Sequence, residues 1–551
     1  MARFFKPHSV GMALAVVAAL ACQSSDDDAS GEHGSVSDND GRGPSAGRAD
    51  AGTSQGSPSS PDGTGLPTEQ EVALGFDAPQ AGLSALYVPN PVTNRVAVVD
   101  AKTFAIESLA VGSQPTYAAT VPGQDLAVVL NVGSRDAALL RTEQGVTRVQ
   151  RLAIGHDANA IAVAPGGAHA VVFLDGSTST AGAQSFQDVT VIDLARGAER
   201  AHRVSVGFRP RGVQFSADGA RAFVITEDGI SIVDFAALST GPTIARLVGL
   251  GDVAGGAQSV DVQVTPDGAF ALARREGEST LRLVTLADGS VETLALASAV
   301  PGEGEPALTD LDVASDGRYA VVVLRARSAI VRIPLPAGFR DATTLAVRTV
   351  PDQLIGSLTL ARTGKRAVAY TTAAPVESLV LIDDIEAAGP VRSVILRKSV
   401  RAVALSDDGA RALVLHAAVA AQGDASDDAR IDAAEGYSVV DATSGFVKLQ
   451  LTSARLRERD LLITPDRSRL FALQRDDAKA VRAVSMIDLG SFQITDLALT
   501  KPPVSLGFLP GLARVFVGQA GEGGLITFLD AQSGARLRDL SGFEIASKIR
   551  L

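Results

Sequence analysis

A short pattern of apolar and polar positions recurs along most of the chain. In residues 87–112, the segment Tyr87, Val88, Pro89 and Asn90 is followed by apolar runs at 96–99 and 104–111, with small and polar residues between them. Alternating apolar positions bounded by turn residues predict three short β-strands. Similar segments recur about every 45 residues, a period typical of propeller blades. The pattern therefore predicts an all-β fold, a β-propeller of four-stranded blades.

Turn signals set the number of repeats. Nine turns rich in Gly, Pro and Asp lie at residues 122–123, 165–167, 218–219, 266–268, 316–317, 363–364, 408–409, 465–466 and 510–511. Together with the first unit they give about ten sequence repeats, while rings of seven or eight blades are commoner and remain the alternative. Residues 71–76 or 543–551 would supply the inner strand of the first blade. We expect aspartates that end the third strands to cap the next turn through their own backbone: Asp100, Asp193, Asp234, Asp383, Asp441, Asp488 and Asp530.

The first residues differ from the rest. Arg3 and Lys6 precede an apolar run at 10–21, and the chain's single cysteine, Cys22, follows directly. The order of a basic segment, an apolar segment and small residues is typical of a secretory signal. Together with Cys22 it resembles a bacterial lipoprotein signal, which implies that residues 1–21 are removed and that Cys22 is the lipidation site. The membrane attachment would then be the acyl chains.

Composition divides the remainder into two parts. Residues 22–70 are rich in Ser, Gly and Asp and have almost no large apolar side chain, so we expect a disordered acidic tether. Residues 71–551 would form the propeller. The formal net charge is −12, which argues against nucleic acid as a partner, because its phosphates require a basic surface. One cysteine excludes an intramolecular disulfide.

The first repeat resembles a known sequence family. Its Tyr87-Val88-Pro89-Asn90 start and its Val111-Gly112-Ser113-Gln114-Pro115 end are similar to the YVTN-type β-propeller repeat of surface-layer and secreted bacterial proteins. The resemblance implies the propeller fold. Together with the lipoprotein-like signal before Cys22, it leads us to expect a location in the bacterial cell envelope, lipid-anchored at the outer membrane or facing the periplasm. It says little about activity, because propellers host many unrelated functions.

Loop lengths suggest where function lies. Long connections between second and third strands are expected at 175–188 and 417–436, and long connections between blades at 250–259 and 298–308. In this family both kinds of connection emerge on the same face, so one rim would carry long loops and the other short turns. Binding sites concentrate in such loops. Insertions tolerated without function remain the alternative.

One of these loops contains a calcium-like spacing. Oxygen-bearing side chains and the residue at the seventh position follow the order of an EF-hand loop, with Ala429 where the turn glycine is usual. The candidate ligands are Asp424, Ser426, Asp428, Arg430, Asp432 and Glu435. Calcium is the only cofactor candidate, and a solvated acidic loop is the alternative.

Catalytic patterns are sparse, and no residue is assigned a catalytic role. His156 is the one candidate acid or base, although we expect an exposed loop histidine there, and we expect Arg274, Arg275, Arg325 and Arg327 to be solvated unless they point into the channel. The starts of inner strands are mainly apolar at 159–163, 212–215 and 358–360, which favours binding over catalysis. We therefore predict a lipid-anchored platform that binds an envelope protein or a small ligand through its long-loop face. A propeller enzyme of the lactonase or dehydrogenase-subunit type and a structural surface-coat component are the alternatives.

Overall fold

Ten antiparallel sheets make up the molecule. The computed structural model describes residues 64–67, 69, 81–175, 187–238, 244–251, 261–303, 306–387, 391–419, 426–452, 455–457, 460–476, 478–521 and 523–546. Within these ranges nine sheets have four strands, one has three, and the order in each sheet follows the chain. Each sheet is a propeller blade, numbered 1 to 10 along the chain. The prediction of about ten repeats is confirmed, and the alternative of seven or eight blades is wrong.

The strands of each blade are labelled A to D from the ring centre outward. Blade 1 has strands B to D as described, and blades 2 to 10 have all four. The A strands are Pro115–Thr120, Ala160–Val163, Gly212–Phe215, Asp261–Val264, Leu308–Val313, Ser357–Leu360, Val400–Leu405, Leu461–Ile463 and Pro503–Leu509. The B strands are Ala85–Asn90, Leu126–Asn131, His169–Phe173, Arg221–Thr226, Phe270–Arg274, Tyr319–Leu324, Ala367–Tyr370, Arg411–His416, Arg469–Asp476 and Arg514–Gln519.

The C strands are largely buried, whereas the outermost D strands face solvent. The C strands are Arg95–Asp100, Asp136–Glu143, Asp188–Asp193, Gly229–Asp234, Thr280–Thr285, Ala329–Pro334, Ser378–Ile382, Glu435–Asp441, Val481–Asp488 and Leu525–Asp530. The D strands are Ile106–Ala110, Val146–Ala153, Arg200–Ser205, Arg246–Val248, Val291–Ala295, Ala346–Thr349, Arg392–Ile395, Val447–Thr452, Ile494–Ala498 and Arg536–Ser541. Short helices lie in the connections, at Leu296–Ala299, Ala337–Arg340 and Asp427–Ala433, with 3-10 turns at Pro165–Gly167, Phe235–Ala237, Arg325–Arg327, Ala342–Thr344 and Phe543–Ile545.

The hydrophobic core is distributed around the ring. Its apolar side chains form ten clusters, and each cluster lies between two successive blades, including blades 10 and 1. The residues are mostly Val, Leu, Ile and Ala, as expected for a chain without Trp. Ten interfaces for ten blades mean that the ring is closed. Closure matters because an open propeller would expose a strand edge.

The closing interface joins the two ends of the described ring. Phe104 of blade 1 packs edge-on against Phe528 of blade 10, with ring centroids 5.4 Å apart. The Asn90 side-chain amide donates to the carbonyl of Phe543 at 2.9 Å. A cleft lined by Leu86, Tyr87 and Val88 runs along strand B of blade 1, on the side where the other blades have strand A. Residues 70–80 and 547–551, which include most of both segments proposed for that strand, lie outside the described residues.

The predicted turns occur where the sequence places them. All nine A–B turn signals fall between strands A and B. Five of the seven aspartates cap the following turn as expected, and Asp100 is typical because it accepts hydrogen bonds from the backbone of Lys102 and Thr103 at 2.7 and 3.0 Å. The others of this kind are Asp234, Asp441, Asp488 and Asp530. Asp193 and Asp383 differ, because they bond the side chains of His202 and Arg392.

The signal, the lipidation site and the tether stay predictions. Residues 1–63, with the signal and Cys22, lie outside the described part of the chain. Pro67 and Glu69, at the end of the predicted tether, accept hydrogen bonds from Arg325 of the ring. None of the helices in the described ranges is long and apolar enough to cross a membrane.

Candidate functional site

Connections of two kinds share one face of the ring. Because neighbouring strands are antiparallel, B–C and D–A connections emerge on one face and A–B and C–D connections on the other. The long connections leave and re-enter their blades on the first face, as predicted: these are the B–C connections of blades 3 and 8, at 174–187 and 417–434, and the D–A connections at 249–260 and 296–307. We call it the long-loop face.

The opposite face also carries some long connections. Its C–D connections are extended in blades 4 and 6, at 235–245 and 335–345, and the second contains the helix Ala337–Arg340. The expectation that long loops occupy only one rim is therefore wrong. The A–B turns do stay short in every blade where both strands are described, because the Asp-Gly and Pro-Gly signals set a tight turn.

The B–C connection of blade 8 carries the calcium-like spacing. Ser426 caps the helix Asp427–Ala433 by accepting from the backbone of Ala429 at 3.2 Å. Lys398, which is 1% exposed, donates to the backbone carbonyls of Ile431 and Asp432 at 2.7 and 2.9 Å. These two bonds fix the end of the helix to the D–A connection before blade 8.

The candidate calcium ligands are thus divided between a helix and a strand. Asp428 forms an exposed ion pair with Arg397 at 2.6 Å, Arg430 pairs with Asp427, and Glu435 begins strand C. Asp424 lies outside the described residues. Among the residues whose positions are given, no group of three His, Cys, Asp or Glu side chains could hold a metal ion. Calcium binding stays a prediction.

His156 occupies a different environment from the one expected. It lies in a D–A connection but is only 3% exposed. Its Nδ1–H donates to the carbonyl of Asp157 at 2.8 Å, and its Nε2 accepts from the hydroxyl of Thr190 at 2.9 Å. Burial lowers the pKa of His156 below its usual value. The prediction of an exposed loop histidine is wrong, and both ring nitrogens serve the packing of blade 3.

The arginines predicted to be solvated are mostly buried. Arg274, Arg275 and Arg325 are 7%, 4% and 2% exposed, and Arg327 is half-buried. Arg274 pairs with Asp261 at 3.4 Å and also donates to the carbonyl of Leu308. Sequence reasoning missed these positions because each arginine follows or ends a B strand, where a charge also suits an exposed turn.

The inner A strands also contain more charged side chains than we predicted from the sequence. Asp261 begins strand A of blade 5, and Asp310 and Asp312 lie in strand A of blade 6; all three are buried. Asp310 accepts from the backbone of Leu358 at 2.5 Å, and Asp312 accepts from Leu360 at 3.0 Å. The premise that inner strands are mainly apolar is wrong for blades 5 and 6. The missed signal is the alternation of Asp with apolar residues at 308–313.

A polar recess on the long-loop face lies between blades 6 and 7. Arg325 follows strand B of blade 6, Thr371 and Thr372 follow strand B of blade 7, and Gly356 ends the D–A connection between these blades. The side chain of Glu69 enters this recess and is 2% exposed. One residue from the end of the predicted tether is thus bound by residues about 250 to 300 positions later.

Among the described residues, four hydrogen bonds reach the Glu69 carboxylate, and all four come from the ring. Arg325 Nη1 and the Thr371 hydroxyl bond Oε1 at 3.1 and 2.7 Å. The Thr372 backbone and hydroxyl bond Oε2 at 2.7 and 2.9 Å. Arg325 Nη1 also donates to the carbonyl of Pro67 at 2.9 Å. The recess therefore recognises both carboxylate oxygens and one preceding carbonyl.

Comparisons with known proteins identify no family for this chain. No family model and no curated protein matches this chain. Among solved structures, it is similar to hydrazine synthase of Kuenenia stuttgartiensis (18% identity over 58% of this chain and 98% of that one, TM-score 0.30) and to the dihydro-heme d1 dehydrogenase NirN in complex with DHE (15% identity, 65% and 71%, TM-score 0.37). A eukaryotic initiation factor is similar at 11% identity over 83% of this chain and 96% of that one, with a TM-score of 0.45.

Proposed function

We propose that this chain is a lipid-anchored β-propeller of the bacterial cell envelope, with YVTN-type repeats, that binds an envelope protein or a small ligand on its long-loop face. The observation that carries the binding proposal is the recess at Arg325, because a buried arginine with convergent hydroxyl donors is a ready site for an anionic group. The anchoring proposal rests on Cys22 after the apolar run 10–21.

Two features support the face and the repeat type. The longest B–C connection, 417–434, stands on the long-loop face and is tied to the ring by Lys398. In blade 1, the Tyr87 to Asn90 segment ends strand B and Asp100 ends strand C, as the repeat requires. Rigid blades with long connections on them are the usual arrangement of a binding scaffold.

Lipidation is tested by labelling. Cells expressing the full chain are grown with radioactive palmitate, and the Cys22→Ser variant is compared with the unaltered protein. We expect label only in the unaltered chain, since Cys22 is the single cysteine. Absence of label from both chains would reject the anchor.

The binding face is tested by loop exchange. Residues 418–433 of the long-loop face are replaced by a short Gly-Ser linker, and envelope proteins retained by each variant are compared. The control replaces residues 337–343 on the opposite face. We expect the first exchange to remove a specific partner and the second to keep it; a partner retained by both, or lost from both while each variant stays folded, would reject the face.

A catalytic role at the ring centre is the second candidate. The buried Asp261–Arg274 pair favours it, because charges at inner strand positions are where propeller enzymes could hold a substrate. Lactone hydrolysis by the purified chain would support this candidate if Asp261→Asn abolishes it and the exposed control Asp288→Asn does not. No turnover in the unaltered chain would leave binding as the function.

A further inference from the structure

The recess between blades 6 and 7 is built by the ring and filled by a separate segment. Arg325 and Thr371 are 2% and 0% exposed, and both are fixed at the ends of B strands. The occupant, Glu69, precedes strand B of blade 1 by more than ten residues and lies far along the ring from it. The host is therefore part of the propeller, whereas the guest is not.

Gly356 shapes the recess for this guest. A Cβ placed on Gly356 would overlap the carboxylate of Glu69, and the three heavy atoms nearest to it all belong to Glu69. The Glu69 side chain thus occupies the space in front of Gly356. Thr309 holds the Gly356 carbonyl through a hydroxyl bond of 2.6 Å, which fixes the backbone at this point.

The donors match a carboxylate in number and direction. Four hydrogen bonds reach the two oxygens of Glu69, and one donor is a guanidinium, which forms stronger bonds with an ionised acceptor. A carboxylate from outside the chain would meet the same donors.

We propose that Arg325, Thr371, Thr372 and Gly356 form a carboxylate-binding site, and that Glu69 is an internal occupant which an external carboxylate replaces. The ligand class is a carboxylate that follows an accepting carbonyl, as in an acidic side chain of a polypeptide or a small organic acid. This inference rests on the proposed function, because it names the ligand class of the long-loop face. Binding through the recess would then compete with docking of the chain's own residues 64–69.

The test uses the full-length chain and a peptide of residues 64–70, acetylated and amidated so that Glu69 is its only carboxylate. Binding is measured by fluorescence anisotropy. We expect the Glu69→Gln variant to bind the peptide about three- to fivefold more tightly than the unaltered chain, because an internal occupant present four-fifths of the time lowers apparent affinity fivefold. The control Glu107→Gln removes an exposed carboxylate of strand D and should bind as the unaltered chain does.

Two further variants identify the site. In the Glu69→Gln chain, adding Arg325→Met should remove peptide binding because the guanidinium is lost. Adding Gly356→Ala should do the same by filling the space, and circular dichroism checks that each variant is folded. A peptide with Gln in place of Glu69 should bind at least about tenfold more weakly, the loss of one charge-assisted contact.

The outcomes distinguish a small organic acid from a polypeptide as the source of the carboxylate. They also distinguish failure of the carboxylate site from failure of the proposed binding face. Displacement of the peptide by acetate, at constant ionic strength, supports a small organic acid; failure of acetate to displace it supports a polypeptide. Equal peptide affinity in the unaltered and Glu69→Gln chains, or no binding by a folded Glu69→Gln chain, would overturn the inference. The assay contains only purified chain, so its failure leaves the loop-exchange result standing.

Discussion

Two buried carboxylates on the same face of the ring are bonded in opposite ways. Asp460, 1% exposed, precedes strand A of blade 9 and pairs with Arg457 at 2.9 Å and Arg475 at 2.7 Å. All three belong to blade 9 or to the connection that enters it. Glu69 is equally enclosed, but its partners lie in blades 6 and 7, about 250 to 300 residues away in sequence.

This difference distinguishes a structural ion-pair group from a binding site. When the partners of a carboxylate lie in its own blade, the ion pairs form as that blade folds. Removing such a carboxylate leaves its two arginines close to each other without the negative charge between them. A carboxylate brought by a remote segment can leave without unfolding a blade, and water can then reach Arg325. We therefore expect the Asp460 group to act in stability and the Glu69 group to act in binding.

The largest effect is expected from Asp460→Ala. It leaves Arg457 and Arg475 without their shared carboxylate, and removing one partner of a buried ion group costs about 3 to 5 kcal/mol. Both arginine side chains are roughly a quarter exposed, at 28% and 26%, so we expect about 3 kcal/mol. Denaturant unfolding measures the loss.

The control for this prediction is Asp427→Ala. Asp427 forms an ion pair with Arg430, but its side chain is 93% exposed. Exposed pairs contribute little, so its removal should change stability by less than about 1 kcal/mol. Equal losses in the two variants would mean that Asp460 is not a structural clamp.

A second locally bonded group predicts a pH effect. His416 of blade 8 is fully buried; its Nδ1–H donates to the carbonyl of Ser399 at 3.1 Å, and its Nε2 accepts from Ser438 at 2.7 Å. Burial lowers the pKa of His416 to about 4. The unfolded chain, with an ordinary histidine pKa of about 6.5, binds the proton more readily. Stability is therefore lost as the pH falls through the range between 6.5 and 4.

Between pH 7 and pH 5 this histidine should lower the free energy of unfolding by about 2 kcal/mol. The measurement is denaturant unfolding at both pH values for the unaltered chain and for His416→Gln. Because other groups titrate in both proteins, the informative quantity is the difference between their pH slopes. Identical slopes would show that His416 does not carry the effect.

The fold could be predicted from the sequence because the signals for its turns and strands are local. An Asp-Gly or Pro-Gly pair favours a tight turn, and the short apolar, valine-rich run at 96–99 favours a buried strand. Neither requires knowledge of distant residues. The number of blades followed from counting these signals, although common ring sizes favoured fewer.

The recess could not be predicted from local sequence signals. Glu69 lies in a polar segment whose composition predicts disorder, and nothing near it indicates a partner. Arg325 was noted only as one of several arginines after a B strand, and Thr371 and Thr372 resemble ordinary turn residues. Their meeting depends on the ring bringing blades 6 and 7 together. His156 was misjudged for a related reason, since Thr190 is supplied by another strand.

A smaller effect is expected where a side chain links two inner strands. The Gln214 amide of blade 4 donates to the carbonyl of Val262 at 2.7 Å and accepts from the backbone of Val264 at 2.8 Å. Gln214→Ala should cost about 1 kcal/mol, the net value of such bonds where water can partly replace them. Thermal unfolding measures it. Gln450→Ala, in an outer strand, is the control and should have no measurable effect.

The smallest change in global stability is expected from Glu69→Gln. Without the charge, residues 64–69 lose their ion pair with Arg325, but water then hydrates the guanidinium and every blade keeps its core. We expect less than about 1 kcal/mol in denaturant unfolding, well below the loss for Asp460→Ala. Amide hydrogen exchange in residues 64–69 should instead become faster, because local opening rather than ring unfolding controls access of water to these amides. A loss as large as that of Asp460→Ala, with unchanged hydrogen exchange, would mean that Glu69 is part of the architecture and that the two carboxylates are alike.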